Sequence, residues 1–135
     1  MQRISQLLIL SLIFVLNSCT SNVSSQKTNS SEALKTLLKH SNKPAVLKFY
    51  AEWCSTCKEY APAFEKVANK YAAQVDFISV DTDAKQNVAL LKELKISRIP
   101  ETVFVSVDRN TVSKRLGPIS EQSLEKTVNS LIIGQ

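Results

Sequence analysis

The stretch AEWCSTCKEYAP, residues 51–62, holds two of the three cysteines of a 135-residue chain. Cys54 and Cys57 stand one helical turn apart, and the apolar residues that follow keep helical time at Tyr60, Phe64, Val67 and Tyr71. This spacing predicts a helix from about Cys54 to Ala73, kinked by Pro62 within it. Two thiols in a first turn can close a small disulfide ring, and the free amides and dipole there favour a thiolate at Cys54. Cys54 is therefore expected to be the exposed nucleophile that attacks a partner's disulfide. Cys57, one turn further in, is placed to attack the mixed disulfide and release the product. Two blander readings fit less well. A structural zinc site needs four ligands, and outside the pair there are only Cys19 and the single His40. A ring this small would be a poor staple, because it constrains little unfolded chain.

Outward from the pair, AVLKFYA (45–51) is nearly continuous apolar sequence, as in a strand covered on both faces, with Lys48 as its exception. Upstream, SEALKTLLKH (31–40) carries a helical stripe at 33, 34, 37 and 38, broken by SNKP. Downstream, VDFISV (75–80) reads as a strand and 84–94 as a helix with Ala84, Val88, Leu91 and Leu94 on one face. TVFVSV (102–107) and TVSKRL (111–116) flank DRN as a hairpin, and GPIS leads into a last helix with Leu124, Val128, Leu131 and Ile132 on one side. The order αβαβαββα predicts an α/β fold, with a mixed central sheet between helical layers over residues 31–135.

Hydrophobic residues make up 44% of the chain, enough for a core that needs no disulfide scaffold. The net charge of +5 is scattered, and no basic block is interleaved with aromatics, which argues against nucleic acid as a partner. Weak attraction to an anionic membrane or to acidic partners is all this charge supports.

The first eighteen residues read as a leader. Arg3 precedes an apolar run from Leu7 to Leu16, too short to span a bilayer but suited to a signal peptide. The leader ends in LNSC, which resembles the lipobox of bacterial lipoproteins, although Asn17 stands where a smaller residue is usual. Cys19 is then the lipidated residue; the alternative is an ordinary signal peptide cut nearby, with Cys19 free or removed. Residues 19–30, rich in Ser, Thr and Asn, read as a flexible tether reaching on the order of 18 Å. The expected location is extracytoplasmic, in the periplasm or on the outer cell surface, anchored to a bacterial membrane.

FYAEWCSTCKEYAP, VDFISVDTD, ISRIPETVFV and RLGPIS follow, in order and spacing, the landmarks of the thioredoxin family, which this chain resembles over residues 31–135. The resemblance implies a thioredoxin-like fold with the dithiol at a helix start and no cofactor beyond the redox-active disulfide of Cys54 and Cys57. It implies that Trp53 is the aromatic before the motif and Pro100 the cis-proline. It further implies that Ile99 pairs with substrate backbone and that Gly117 lies near the substrate groove. The implied function is a monomeric thiol–disulfide oxidoreductase, acting as a reductant of protein disulfides and drawing electrons from a membrane thiol donor. The alternative is a metal-handling module resembling a copper chaperone, against which the chain offers no obvious third soft ligand beside the dithiol.

Several positions depart from the family pattern. Ser55-Thr56 replaces the Gly-Pro of thioredoxin itself between the cysteines. Glu101 follows the cis-proline in place of threonine. It is expected either to sit near the dithiol and disfavour a second negative charge there, or to be a solvated loop acid. Lys48 occupies the place of the family's buried acid, and alignment puts Phe77 at the place of that acid's lysine partner. Lys48 is expected to tune the dithiol as a charged group, with a carboxylate such as Glu52 as its partner. Taking the Cys57 proton as a neutral amine and snorkelling to solvent are the alternatives. Asp81 and Asp83, between strand and helix, read as caps.

Overall fold

The computed structural model describes residues 31–110 and 112–134. The leader, Cys19 and the tether at 19–30 lie outside the described residues. The elements are α1 (Ser31–Leu38), β1 (Ala45–Tyr50), α2 (Ser55–Tyr71), β2 (Asp76–Asp81), α3 (Val88–Glu93), β3 (Glu101–Val105), β4 (Val112–Leu116) and α4 (Glu121–Ile133). The sheet order is β2-β1-β3-β4. β1 and β2 are parallel, a pairing that requires a crossover, and α2 supplies it. β3 runs antiparallel to both β1 and β4. The expected mixed sheet between helical layers is present.

Strand alternation sorts the core into two layers. Leu47 and Phe49 of β1, Val80 of β2, and Val103 and Val105 of β3 pack against Leu34 and Leu38 of α1 and Leu90 of α3. On the other face, Val46 and Phe104 meet Tyr60, Phe64 and Val67 of α2 and Leu124 and Val128 of α4. Lys48 belongs by alternation to this second layer. So does Thr102, which stands in register with it on β3.

Three boundaries differ from the sequence reading. The helix expected at 84–94 is a 3-10 turn over Lys85–Asn87 followed by α3. Asn87 Nδ2 donates to the Asp81 carbonyl at 2.8 Å, which ties that turn to the end of β2. The strand expected at 102–107 is Glu101–Val105, because the chain turns at Ser106 and passes through positive φ at Arg109 (63°). The Arg109 guanidinium then donates to the carbonyls of Lys43 (2.7 Å) and Ser41 (2.8 Å), pinning the hairpin to the loop before β1. Finally, α2 begins at Ser55, with Cys54 as its cap rather than its first residue.

Tyr60 Oη and Thr102 Oγ1 form a buried hydroxyl pair at 3.1 Å between α2 and β3. Thr102→Val leaves the phenol buried without this partner and is expected to cost about 1–3 kcal/mol of unfolding free energy. Adding Tyr60→Phe is expected to cost less than the sum of the two single changes. Urea unfolding of the four proteins checks this, and strict additivity would contradict the pairing.

Candidate active site

The end of β1 fixes where α2 begins. The Cys54 amide donates to the Ala51 carbonyl at 3.1 Å, and the Thr82 amide donates to the Tyr50 carbonyl at 2.9 Å. Cys54 is the N-cap, in extended conformation, and its Sγ accepts from the Cys57 amide at 3.2 Å. One of the unsatisfied amides of the first turn is thereby aimed at sulfur, the arrangement that favours a thiolate at this position. The two cysteines are disulfide-bonded, with Cα atoms 5.2 Å apart. Thr56 Oγ1 lies 3.5 Å from Cys54 Sγ, so the residue pair between the cysteines brings a hydroxyl to that sulfur.

Cys54 was expected to be exposed. It is 6% exposed and Cys57 is 3% exposed, because both tuck against Ala51 with Tyr50 and Ile99 packed around them. Access is by two clefts. The front cleft, of about 430 Å³, is lined by Trp53, Cys54, Ser55, Thr56, Ser97, Arg98 and Ile99. The back cleft, of about 360 Å³, is lined by Cys57 with Lys48, Tyr50, Glu52, Lys58 and Glu65 among others. Each sulfur has its own opening.

Trp53 is 72% exposed, and its indole Nε1 donates to Asp83 Oδ2 at 2.8 Å. Asp81 Oδ1 in turn accepts from the Asp83 amide at 2.9 Å. Asp81 thus closes a turn after β2 and caps neither the 3-10 turn nor α3, contrary to the sequence reading, whereas Asp83 anchors the aromatic wall of the front cleft. The Ile99–Pro100 bond is cis, Ile99 lies against the disulfide, and the Pro100 carbonyl accepts from the Gly117 amide at 2.8 Å. Gly117 has φ of +87°, a conformation that side-chain-bearing residues rarely adopt.

Glu101 fits neither of its expected roles. It is a β3 residue in register with Phe49, so alternation puts it on the sheet face away from α2, and it pairs with Lys114 at 3.6 Å. Its charge is spent on the hairpin rather than on the dithiol.

Lys48 loses one of its alternatives and differs from expectation in its carboxylate. It is 5% exposed, which removes snorkelling, and its Nζ sits over the rings of Phe64 (4.7 Å to the centroid) and Tyr50 (5.6 Å). Burial pushes its pKa below the ordinary lysine value, while the charge of Glu65, rather than Glu52, acts in the opposite direction. Ser79 stands opposite Lys48, and Phe77 stands opposite Val46.

Sequence reasoning missed Glu65, Arg98 and the role of Asp83. For Glu65 a signal existed: Cys57, Ala61 and Glu65 recur at i, i+4 and i+8 and form one stripe of α2 along the back cleft. Arg98 and the Trp53–Asp83 bond depend on loops meeting in space and left no local pattern. Among the described residues no group of three or more His, Cys, Asp or Glu side chains is placed to hold a metal ion.

The family described as Thioredoxin matches residues 25–130 of the chain. A thioredoxin of Borreliella burgdorferi is 39% identical over 67 residues, covering 50% of this chain and 56% of that protein. The chloroplastic thioredoxin-like protein HCF164 of Arabidopsis thaliana is 32% identical over 93 residues, 69% of this chain and 36% of that protein. The matched stretch therefore spans less than two thirds of the length of these curated relatives. Among solved structures, MTB dsbF in its mixed oxidized and reduced forms is similar with a TM-score of 0.61 and 25% identity. That match covers 72% of this chain and 84% of that one.

The depressed pKa of Lys48 has a consequence for stability. Between the folded and unfolded pKa values the unfolded chain holds more protons, so stability rises with pH through that window. Lys48→Met is expected to stabilise the protein at neutral pH, since it removes a buried charge. Its advantage is expected to shrink as pH approaches the ordinary lysine value. Urea unfolding of both proteins at neutral and alkaline pH measures this, and an advantage that does not change with pH would contradict it.

Proposed function

The chain belongs to the thioredoxin family, and from that premise we propose that it is an extracytoplasmic thiol–disulfide oxidoreductase, lipid-anchored at Cys19, that reduces protein disulfides through Cys54 and Cys57. The observation that carries this reading is the Cys54–Cys57 disulfide at the N-cap of α2, opening into a cleft walled by an exposed tryptophan. In the reduced protein the Cys54 thiolate attacks a substrate disulfide through the front cleft. One substrate thiol leaves, and a mixed disulfide forms. Cys57 then attacks Cys54 Sγ, the second substrate thiol leaves, and the enzyme disulfide is restored. Two electrons pass to the substrate, and a membrane thiol donor returns them.

The anchoring part of the reading rests on sequence: a short apolar leader, LNSC at its end, and a polar tether before the folded domain. Reduction is the direction that suits a tethered copy of this fold in an oxidising compartment, where disulfides persist unless a dedicated reductant acts on them. Copper handling would need a third soft ligand beside the dithiol, and no such cluster occurs among the described residues.

Insulin reduction in the presence of a dithiol donor is expected for the unsubstituted protein and lost in Cys54→Ser. Cys57→Ser is expected to accumulate a mixed disulfide with its substrate. Activity in Cys54→Ser equal to that of the parent would overturn the enzymatic reading. Separately, Cys19→Ser is expected to move the protein from the membrane fraction to the soluble extracytoplasmic fraction. Unchanged partitioning would overturn the lipid anchor.

A further inference from the structure

The described residues lining the front cleft around Cys54 offer the indole of Trp53, the hydroxyls of Ser55, Thr56 and Ser97, and a single ionised side chain, Arg98. The carboxylates of the neighbouring segments are committed elsewhere. Asp83 accepts from the Trp53 indole, Glu101 pairs with Lys114, and Glu52 lines the back cleft. Arg98 itself is exposed and has no hydrogen bond or ion pair among the described residues. Arg109 is the contrast: its guanidinium donates to backbone carbonyls, those of Lys43 and Ser41 among them, and so serves the fold. Nor does Arg98 stand on a loose segment. Before it the Ile96 amide donates to the Leu91 carbonyl at 2.9 Å, and after it the Pro100 carbonyl accepts from the Gly117 amide at 2.8 Å. Ile99, the next residue, lies against the disulfide. The chain thus holds an unpaired guanidinium one residue from the wall of the reacting sulfur.

We propose that Arg98 selects the substrate by binding a carboxylate side chain, Asp or Glu, that flanks the half-cystine attacked by Cys54. The preferred partners are then proteins that are acidic around their disulfide. This rests on the oxidoreductase reading above and deepens it by naming a substrate class. A guanidinium holds a carboxylate through two parallel N–H···O bonds, a geometry that a single ammonium does not match. A substrate chain lying over Trp53 and Ile99 covers the cleft and removes water from around the pair, which strengthens it relative to an ion pair in open solvent. The same charge disfavours partners with Lys or Arg beside the disulfide, since no carboxylate among the lining residues offsets it. The exchange chemistry is unaltered. Arg98 acts on which disulfide reaches Cys54, and not on the bonds that form and break at sulfur.

The test uses symmetric disulfide dimers of a short peptide that carries Glu, Gln or Lys on both sides of its one cysteine. The reduced full-length protein is mixed with each at low salt, and every rate is divided by that of a small neutral dithiol with the same peptide, which removes the peptide's intrinsic reactivity. The readout is the ratio of these rates between two peptides, because a change in Cys54 reactivity or in the folded fraction multiplies all of them alike and cancels. The parent is expected to reduce the Glu peptide fastest and the Lys peptide slowest, with the preference fading as salt rises. Arg98→Gln is expected to lower the Glu-to-Gln ratio about five- to tenfold. Arg98→Glu is expected to reverse the order of the Glu and Lys peptides, and Arg98→Lys, which keeps the charge without the fork, to retain part of the preference. A Glu-to-Gln ratio that is the same in Arg98→Gln as in the parent overturns the proposal, even where all rates have dropped together. Failure of the parent to reduce any of the three peptides sinks the oxidoreductase reading itself, whereas reduction of all three at ratios that Arg98→Gln leaves unmoved sinks only the role of Arg98.

Discussion

Strand β1 is hydrogen-bonded along both edges and covered on both faces, and the chemistry of the molecule depends on that double enclosure. A strand enclosed in this way has no freedom to slide, since a one-residue slip would exchange the contents of its two faces. Its end is therefore a fixed point. From it the chain makes a single turn, closed by the Cys54 amide on the Ala51 carbonyl, and enters α2. The Cys57 amide in the first turn of α2 consequently points at Cys54 Sγ from a platform that cannot shift. The loop carrying Ile99 and the cis Pro100 closes the other side. Dithiol placement thus follows from sheet burial, and the helix supplies the electrostatics.

Much of this could be read in the chain because the signals are local. The continuous apolar run of β1, the four-three-four stepping of α2 and the thiol pair at its start each lie within a few residues. Lys48 stood out for the same reason, as a lone charge in an apolar strand. What surrounds these residues was harder to read, because it is set by register and by loops that meet only in the fold. Ser79 stands opposite Lys48 because of a strand register that no single strand encodes. Glu101 follows Pro100 directly in sequence. Strand alternation nevertheless turns it to the opposite face, where Lys114, thirteen residues on, meets it across the hairpin. Asp83 reaches Trp53 across thirty residues of chain. Glu65 was the exception, since its position on the Cys57 stripe was available from helical periodicity alone.

Lys48 breaks the rule that the rest of its layer obeys. Every other wholly buried position on that face of β1 and β3 is filled by an apolar side chain or by a hydroxyl with a partner. An aliphatic residue would fill the same space without the desolvation cost of an amine. Local violations of this kind concentrate where a function needs them. The disulfide divides two clefts of different character. The front cleft offers an indole, two hydroxyl side chains of the motif and the guanidinium of Arg98, surfaces suited to receiving another chain. The back cleft offers ionisable groups beside Cys57 and lies on the side of the sheet where the buried amine sits. A partner arriving at the front therefore meets Cys54 without disturbing the ionisable groups beside Cys57. The two sulfurs are thus distinguished by the walls around them before either meets a partner.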